Sequence, residues 1–382
     1  MLTPSVAASG TDLEKRFWSW LESLSLTDLL DPTNGDQFRR MYTTSGLGHP
    51  PDPVFAYPSP VFQHEAILEQ CAAFARELES CPDLKPVTAA YLGILEETRR
   101  LVQLIGDREA GRDIAEPLSG LYGKPADSVV AQSLAILRED RGPAHSERIV
   151  TAQGLASALE KRLTGLGLAW RLEISAAISA RVTVSSLHKR IRIKHGERFS
   201  PQEVRRLLAH EIEVHVFRRE NGAQQPFRIF RHGFPGYLET EEGLAAYAEQ
   251  RMGLLDHDQL RIYAARVLAA DLALQGSFTD VFTALREYLP PEQAYAIAQR
   301  VKRGLTNTAQ PGGFTKDQCY LSGYLAVSQA ANAGLLNLLY TGKVGLADIP
   351  LVRKLTTAGI IKKPVHLPPW LCPDTPHSHS PP

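Results

Sequence analysis

The sequence predicts a mainly helical α+β fold, with a small mixed sheet beside one long helix. Three observations lead there. Apolar residues recur at helical spacing through most of the chain. Three short runs of period-two alternation fall close together between residues 170 and 194. Directly after them, Ser200-Pro201-Gln202-Glu203 carries the signature of a capped helix start.

Taken in order, Thr11 to Leu24, His64 to Glu79 and Val87 to Ile105 read as helices, broken by proline-rich stretches such as His49-Pro50-Pro51-Asp52-Pro53. Gly111 to Leu137 reads as a helical pair around Tyr122-Gly123-Lys124-Pro125. The runs Trp170 to Ile174, Arg181 to Val184 and Arg190 to Lys194 read as strands, the third of them basic. Such a strand suits an acidic peptide; at a sheet edge its cations would instead deter aggregation. Helices return after Glu242 and continue to about Leu339, interrupted at Leu289-Pro290-Pro291 and Gln310-Pro311-Gly312-Gly313. The expected organisation is a helical region over 1–145, a region over 146–368 that holds the chemistry, and a disordered Pro/Ser/His-rich tail over 369–382.

Composition excludes several classes. Among 382 residues, Lys+Arg and Asp+Glu number 42 each, so no global field favours nucleic acid or an anionic membrane. No apolar run reaches membrane-spanning length, and Met1-Leu2-Thr3-Pro4-Ser5 lacks the pattern of a signal peptide. Cys71, Cys81, Cys319 and Cys372 show neither metal spacing nor a disulfide framework. A reducing cytoplasm is the expected location.

The most informative segment is His210-Glu211-Ile212-Glu213-Val214-His215. Val204, Leu207, Leu208 and Ile212 give it the apolar face of a helix, and Asn221-Gly222 gives a stop. Zinc hydrolases place two histidines at i and i+4 of one helix. Here the second is at i+5, where ideal α-geometry points the rings about 140° apart. A π-bulge would bring them together. A metal reading therefore demands a distorted turn between His210 and His215. The alternative, one histidine in the core and one on the surface, demands none.

Catalytic zinc takes three protein ligands and keeps one position open. Glu242, in Thr240-Glu241-Glu242-Gly243-Leu244-Ala245, is the candidate third ligand, with Thr240 as the expected N-cap of its helix. Spacing leaves Glu241 and Glu249 open as rivals, and two acids in a first turn also simply complement the helix dipole. Gly243 would let another backbone or a metal approach closely. With Zn2+ on this set, Glu211 is placed to act as general base. His188, His195 and His232 lie near the motif but not at ligand spacing, and His377 and His379 fall in the tail.

These residues resemble the tyrosine carboxypeptidase family of zinc metallopeptidases. Its prokaryotic members are labelled flavohemoglobin expression-modulating QEGLA-motif proteins, and its animal members are the microtubule-associated tyrosine carboxypeptidases that act on α-tubulin. The resemblance runs from about Trp170 to Pro368, through His-Glu-x-x-x-His, Glu-Glu-Gly-Leu-Ala, Arg300-Val301-Lys302-Arg303-Gly304, Gly312 to Asp317 and Tyr320-Leu321-Ser322-Gly323. It implies a gluzincin-like core, His210, His215 and Glu242 as zinc ligands, Glu211 as base, and hydrolysis of a C-terminal residue, Tyr or Phe by preference, from a peptide or protein. This chain has Thr-Glu-Glu-Gly-Leu-Ala where many prokaryotic members carry Gln-Glu-Gly-Leu-Ala. No long low-complexity N-terminal extension is seen, which leads us to expect a substrate other than tubulin.

A carboxypeptidase must also grip a free carboxylate, best with arginine. Arg218, Arg303 and Lys316 are the candidates, although Arg218 could equally be a surface residue beside Arg219. Tyr320 could donate to an oxyanion or simply pack within its helix. Two rivals to peptidase activity stand: a regulatory protein that keeps the metal site without turnover, and a zinc hydrolase of a non-peptide amide.

Overall fold

The computed structural model of the protein describes residues 9–44, 51–139, 147–176, 178, 181–186 and 188–371. The chain forms two compact units, one of residues 1–140 and 260–321, the other of 141–259 and 322–382. Residues 260–321 group with the N-terminal helices rather than with the region 146–368. The tail from 372 onward, with Cys372, His377 and His379, lies outside the described residues.

In the first unit, helices Gly10–Ser23, His64–Glu79 and Thr88–Glu109 meet through aromatic edges. Phe17 lies edge-on to Trp18, Phe74 and Tyr91 at centroid distances of 5.1–5.4 Å. Helices Ala115–Gly120 and Asp127–Arg138 form the expected pair. The return of residues 260–321 has a physical cause in a second aromatic cluster. Tyr42, from helix Gly35–Thr44, packs on Phe278, Phe282 and Tyr295, and the Tyr295 hydroxyl donates to the Gly35 carbonyl at 2.7 Å. Contacts across more than two hundred residues leave no trace in local periodicity.

The second unit holds five strands: β1 Val150–Thr151, β2 Arg171–Ser175, β3 Val182–Ser185, β4 Arg190–Lys194 and β5 Arg198–Phe199. β1 and β5 form an antiparallel ribbon. The other three make a mixed sheet in the order β2-β4-β3, with β4 parallel to β2 and antiparallel to β3. The basic strand is thus the central one, so deterring edge pairing does not explain its charge. Ile191 and Ile193 of β4 are fully buried, and Leu155, Leu159 and Leu163 line one side of helix Ala152–Gly165, which packs on this sheet and on the histidine segment.

The capping box closes as the sequence predicts: Glu203 N–H donates to Ser200 Oγ at 3.0 Å, and Ser200 N–H to the Glu203 carboxylate at 2.8 Å. Helix Pro201–Leu207 runs into a π-helical segment, Leu208–Val216, and on into helix Phe217–Ala223. Helix Tyr237–Arg251 packs against the π segment. Its N-cap is Gly236, at φ +68°, not Thr240, which lies inside the helix. The Thr240 hydroxyl instead accepts from Leu346 N–H at 2.9 Å. Gly243 is explained by another backbone: a Cβ there would lie 2.1 Å from the carbonyl carbon of Gly323 in helix Cys319–Asn332. Among the described residues, no helix is long and apolar enough to cross a membrane.

Candidate metal centre

The π segment does what the spacing demands. Its wider turn places the His210 and His215 rings 4.9 Å apart, edge to face. His210, Glu211 and His215 are all buried, and each offers a ligand atom within 4.8 Å of the other two; among the described residues this is the one group of His, Cys, Asp or Glu so placed. Glu242 Oε2 faces His210 Nε2 at 3.6 Å, and Glu211 Oε2 faces His215 Nε2 at 3.9 Å. Glu242 is the most exposed of the four.

Behind the rings stand two carboxylates that the spacing alone could not tell from ligands. Glu249 Oε1 lies 2.8 Å from His210 Nδ1, and Glu241 Oε1 lies 2.8 Å from His215 Nδ1. Both acids are held ionised. Burial alone would raise the Glu241 carboxyl, but Lys343, Arg218 and His215 outweigh it and hold it well below the usual carboxylate range. Arg206, with its Nη1 2.9 Å away, and His210 do the same for Glu249. An ionised carboxylate only accepts, so each Nδ1 carries a proton and each ring is held with its Nε2 directed inward. The heptad spacing of Glu242 and Glu249, which places both on one helix face towards His210, was the available signal for Glu249. Lys343, whose ammonium donates to Glu241, left no such signal.

The donor set favours positive charge. Burial disfavours a charged His210, yet Glu211, Glu242 and Glu249 overcome that and push its pKa up to about 10. Two imidazole nitrogens and two carboxylates facing one another are chemically suited to a divalent ion of the zinc type.

Arg218 requires a correction. It is fully buried: Nε donates to the carbonyls of Leu339 and Gly342 at 2.9 and 3.1 Å, Nη1 to Glu241, and Nη2 to the Val344 carbonyl. Its donors are committed to holding Glu241 and the loop before Gly345, so it has no free fork for a substrate carboxylate. Arg303, Lys316 and Tyr320 belong to the first unit. There Arg303 Nη1 pairs with Asp31 at 3.0 Å and its guanidinium lies over Phe314. Lys316 sits half-buried in the turn Thr315–Gln318. The Tyr320 ring stacks on Tyr263 at 5.1 Å with Arg266 over its face. His232 is not in the metal group either. Burial, with Arg231 and other cations around it, pulls its pKa down to about 3.

The family model described as microtubule-associated tyrosine carboxypeptidase matches residues 45–377. The chain is 33% identical over 155 residues to microtubule-associated tyrosine carboxypeptidase 1 of Mus musculus, covering 38% of this chain and 32% of the relative. It is 33% identical over 157 residues to the Homo sapiens protein of the same name, again covering 38% and 32%. The matched stretch thus spans about a third of the length of these curated relatives. With the family model covering most of its length, the chain belongs to the microtubule-associated tyrosine carboxypeptidase family.

Proposed function

We propose that this protein is a zinc-dependent metallocarboxypeptidase that removes the C-terminal residue, an aromatic one by preference, from a peptide or protein. The observation that carries the reading is the convergence of His210, Glu211 and His215 on a π-distorted turn, with Glu242 opposite. His210, His215 and Glu242 would hold the metal. When bound, zinc lowers the pKa of a coordinated water towards about 7 and polarises a carbonyl.

The chain's own residues do the rest. Glu249 and Glu241 fix both rings with Nε2 directed inward. Glu211 has no Arg or Lys partner among the described residues, so its carboxylate is available to take the proton of the attacking water and pass it to the leaving amine. Glu213, two residues on, is instead occupied by Arg162 at 2.9 Å. On the chemistry a carboxypeptidase needs, Arg303 and Lys316 are proposed to bind the substrate carboxylate and Tyr320 to donate to the oxyanion, and Arg303→Ala should raise KM.

The test pairs metal analysis with a set of peptides differing only in the last residue. Wild type should hold one zinc per chain and release terminal Tyr or Phe fastest. Glu211→Gln should keep the zinc and lose turnover by at least ~10²-fold. Stoichiometric zinc with no amino acid released from any peptide would contradict the reading.

A further inference from the structure

Each carboxylate behind the rings shares one oxygen between a ring and a cation. Glu241 Oε1 faces His215 Nδ1 at 2.8 Å and also accepts from the Lys343 ammonium. Glu249 Oε1 faces His210 Nδ1 at 2.8 Å and also accepts from Arg206 Nη1 at 2.9 Å. The two cations come from different parts of the chain. Arg206 lies one turn before His210, in helix Pro201–Leu207, whereas Lys343 belongs to the loop before Gly345.

The backbone fixes where the Lys343 ammonium goes. Its own N–H donates to the Phe230 carbonyl at 2.6 Å, and its carbonyl accepts from Phe234 N–H at 3.0 Å. Gly342 beside it has no room for a side chain, since a Cβ there would lie 2.5 Å from the Phe230 carbonyl oxygen. Lys343 is 3% exposed, and its ammonium lies 5.3 Å from the centre of the Tyr237 ring. Charge balance alone would be met by any contact with the buried carboxylate. Contact with the oxygen that faces the ring goes further.

A carboxylate on the far nitrogen of a metal-binding imidazole draws on the ring proton and makes the ring a stronger donor. A cation on the same oxygen competes for its lone pairs and weakens that pull. We propose that Lys343 and Arg206 are positioning residues for the metal centre, each restraining one carboxylate so that His215 and His210 act as moderate donors. That restraint preserves the power of a bound ion to polarise a carbonyl. Arg218 adds to it from the other oxygen of Glu241. Its remaining donors hold the carbonyls of Leu339, Gly342 and Val344, so its loss would disturb the loop as well.

That the rings ligate zinc rests on the proposed function; that the cations govern the hydrogen bonds of the rings does not. The test therefore has two arms. In the first, metal-free protein with nitrogen-labelled histidine is followed by NMR through its two Nδ1 protons. Lys343→Met should move the His215 proton downfield, the sign of a stronger hydrogen bond, and move that of His210 much less. Arg206→Met should do the reverse, and Arg206→Lys should return the His210 proton towards its wild-type position.

In the second arm, zinc affinity is measured by competition with a chelator. Removing a nearby positive charge and strengthening a donor should tighten zinc by about tenfold in either Met variant. A cation that merely braces the site would loosen zinc when lost. If Lys343→Met fails to fold, Arg206→Met carries both arms, because its side chain is partly exposed. Ring protons that stay in place, or looser zinc in the Met variants, would overturn the proposal. The expected shifts and tighter zinc, in a protein that releases no amino acid from any peptide, would sink only the proposed function.

Discussion

In the unit containing residues 260–321, buried charges answer one another. The two oxygens of Asp317 accept from Arg300, and Lys302 Nζ donates to the carbonyls of Ala273, Gly276, Gln310 and Gly312. In the other unit, the carboxylates of Glu211, Glu241, Glu242 and Glu249 gather round two imidazoles, with Arg206 paired to Glu249 and Arg218 and Lys343 to Glu241. The first arrangement is complete in itself. In the second, Glu211 and Glu242 face the two Nε2 atoms. Gathering carboxylates in a buried site is costly. Under the proposed function, the metal ion offsets that cost.

Substitution separates the two arrangements, and the largest effect should come from the closed one. Asp317→Asn leaves a largely buried guanidinium without its partner and should cost about 3 kcal/mol at neutral pH, read from denaturant unfolding. Although burial alone would raise the Asp317 carboxyl, Arg300 holds it well below the usual range. Its folded-state pKa is thus depressed relative to about 3.9 in the unfolded chain. The stabilisation is fully present above about pH 4 and is lost as pH falls from there towards the folded value. The gap between wild type and Asp317→Asn should narrow correspondingly; a gap independent of pH would contradict the pairing.

The open cluster should respond in the opposite sense. Glu242→Gln relieves repulsion among the clustered carboxylates, so the metal-free protein should melt at the same temperature or higher. Its zinc affinity, measured by competition with a chelator, should meanwhile fall by at least about 100-fold. A destabilised metal-free variant would place Glu242 among the structural charges instead. Smaller still is Gly243→Ala, which forces a methyl towards the Gly323 backbone and should cost about 2 kcal/mol by thermal unfolding.

Much of this was legible in the sequence because it is local. The capping box, the three strands and helix His64–Glu79 follow from periodicity and turn chemistry. The i,i+5 spacing of the histidines required a distorted helix, and the π segment supplies it. What escaped was decided by distant chain. Arg218 reads as a grip for a substrate carboxylate, or equally as half of an exposed Arg-Arg pair, until carbonyls from Leu339 to Val344 close over it. Glu241 and Glu249 differ from Glu242 only in which ring nitrogen they face, which no spacing records. The central position of β4 depends on a crossover that brings it between β2 and β3, and alternation alone reveals strands without their order.

Crystals grown with zinc and measured at its absorption edge test the central claim most directly. One anomalous peak is expected about 2.0–2.2 Å from His210 Nε2, His215 Nε2 and a Glu242 oxygen, with Glu241 and Glu249 still on the Nδ1 atoms. A zinc-saturated crystal with no peak there, or with the ion bound by Glu241 or Glu249 instead, would contradict it.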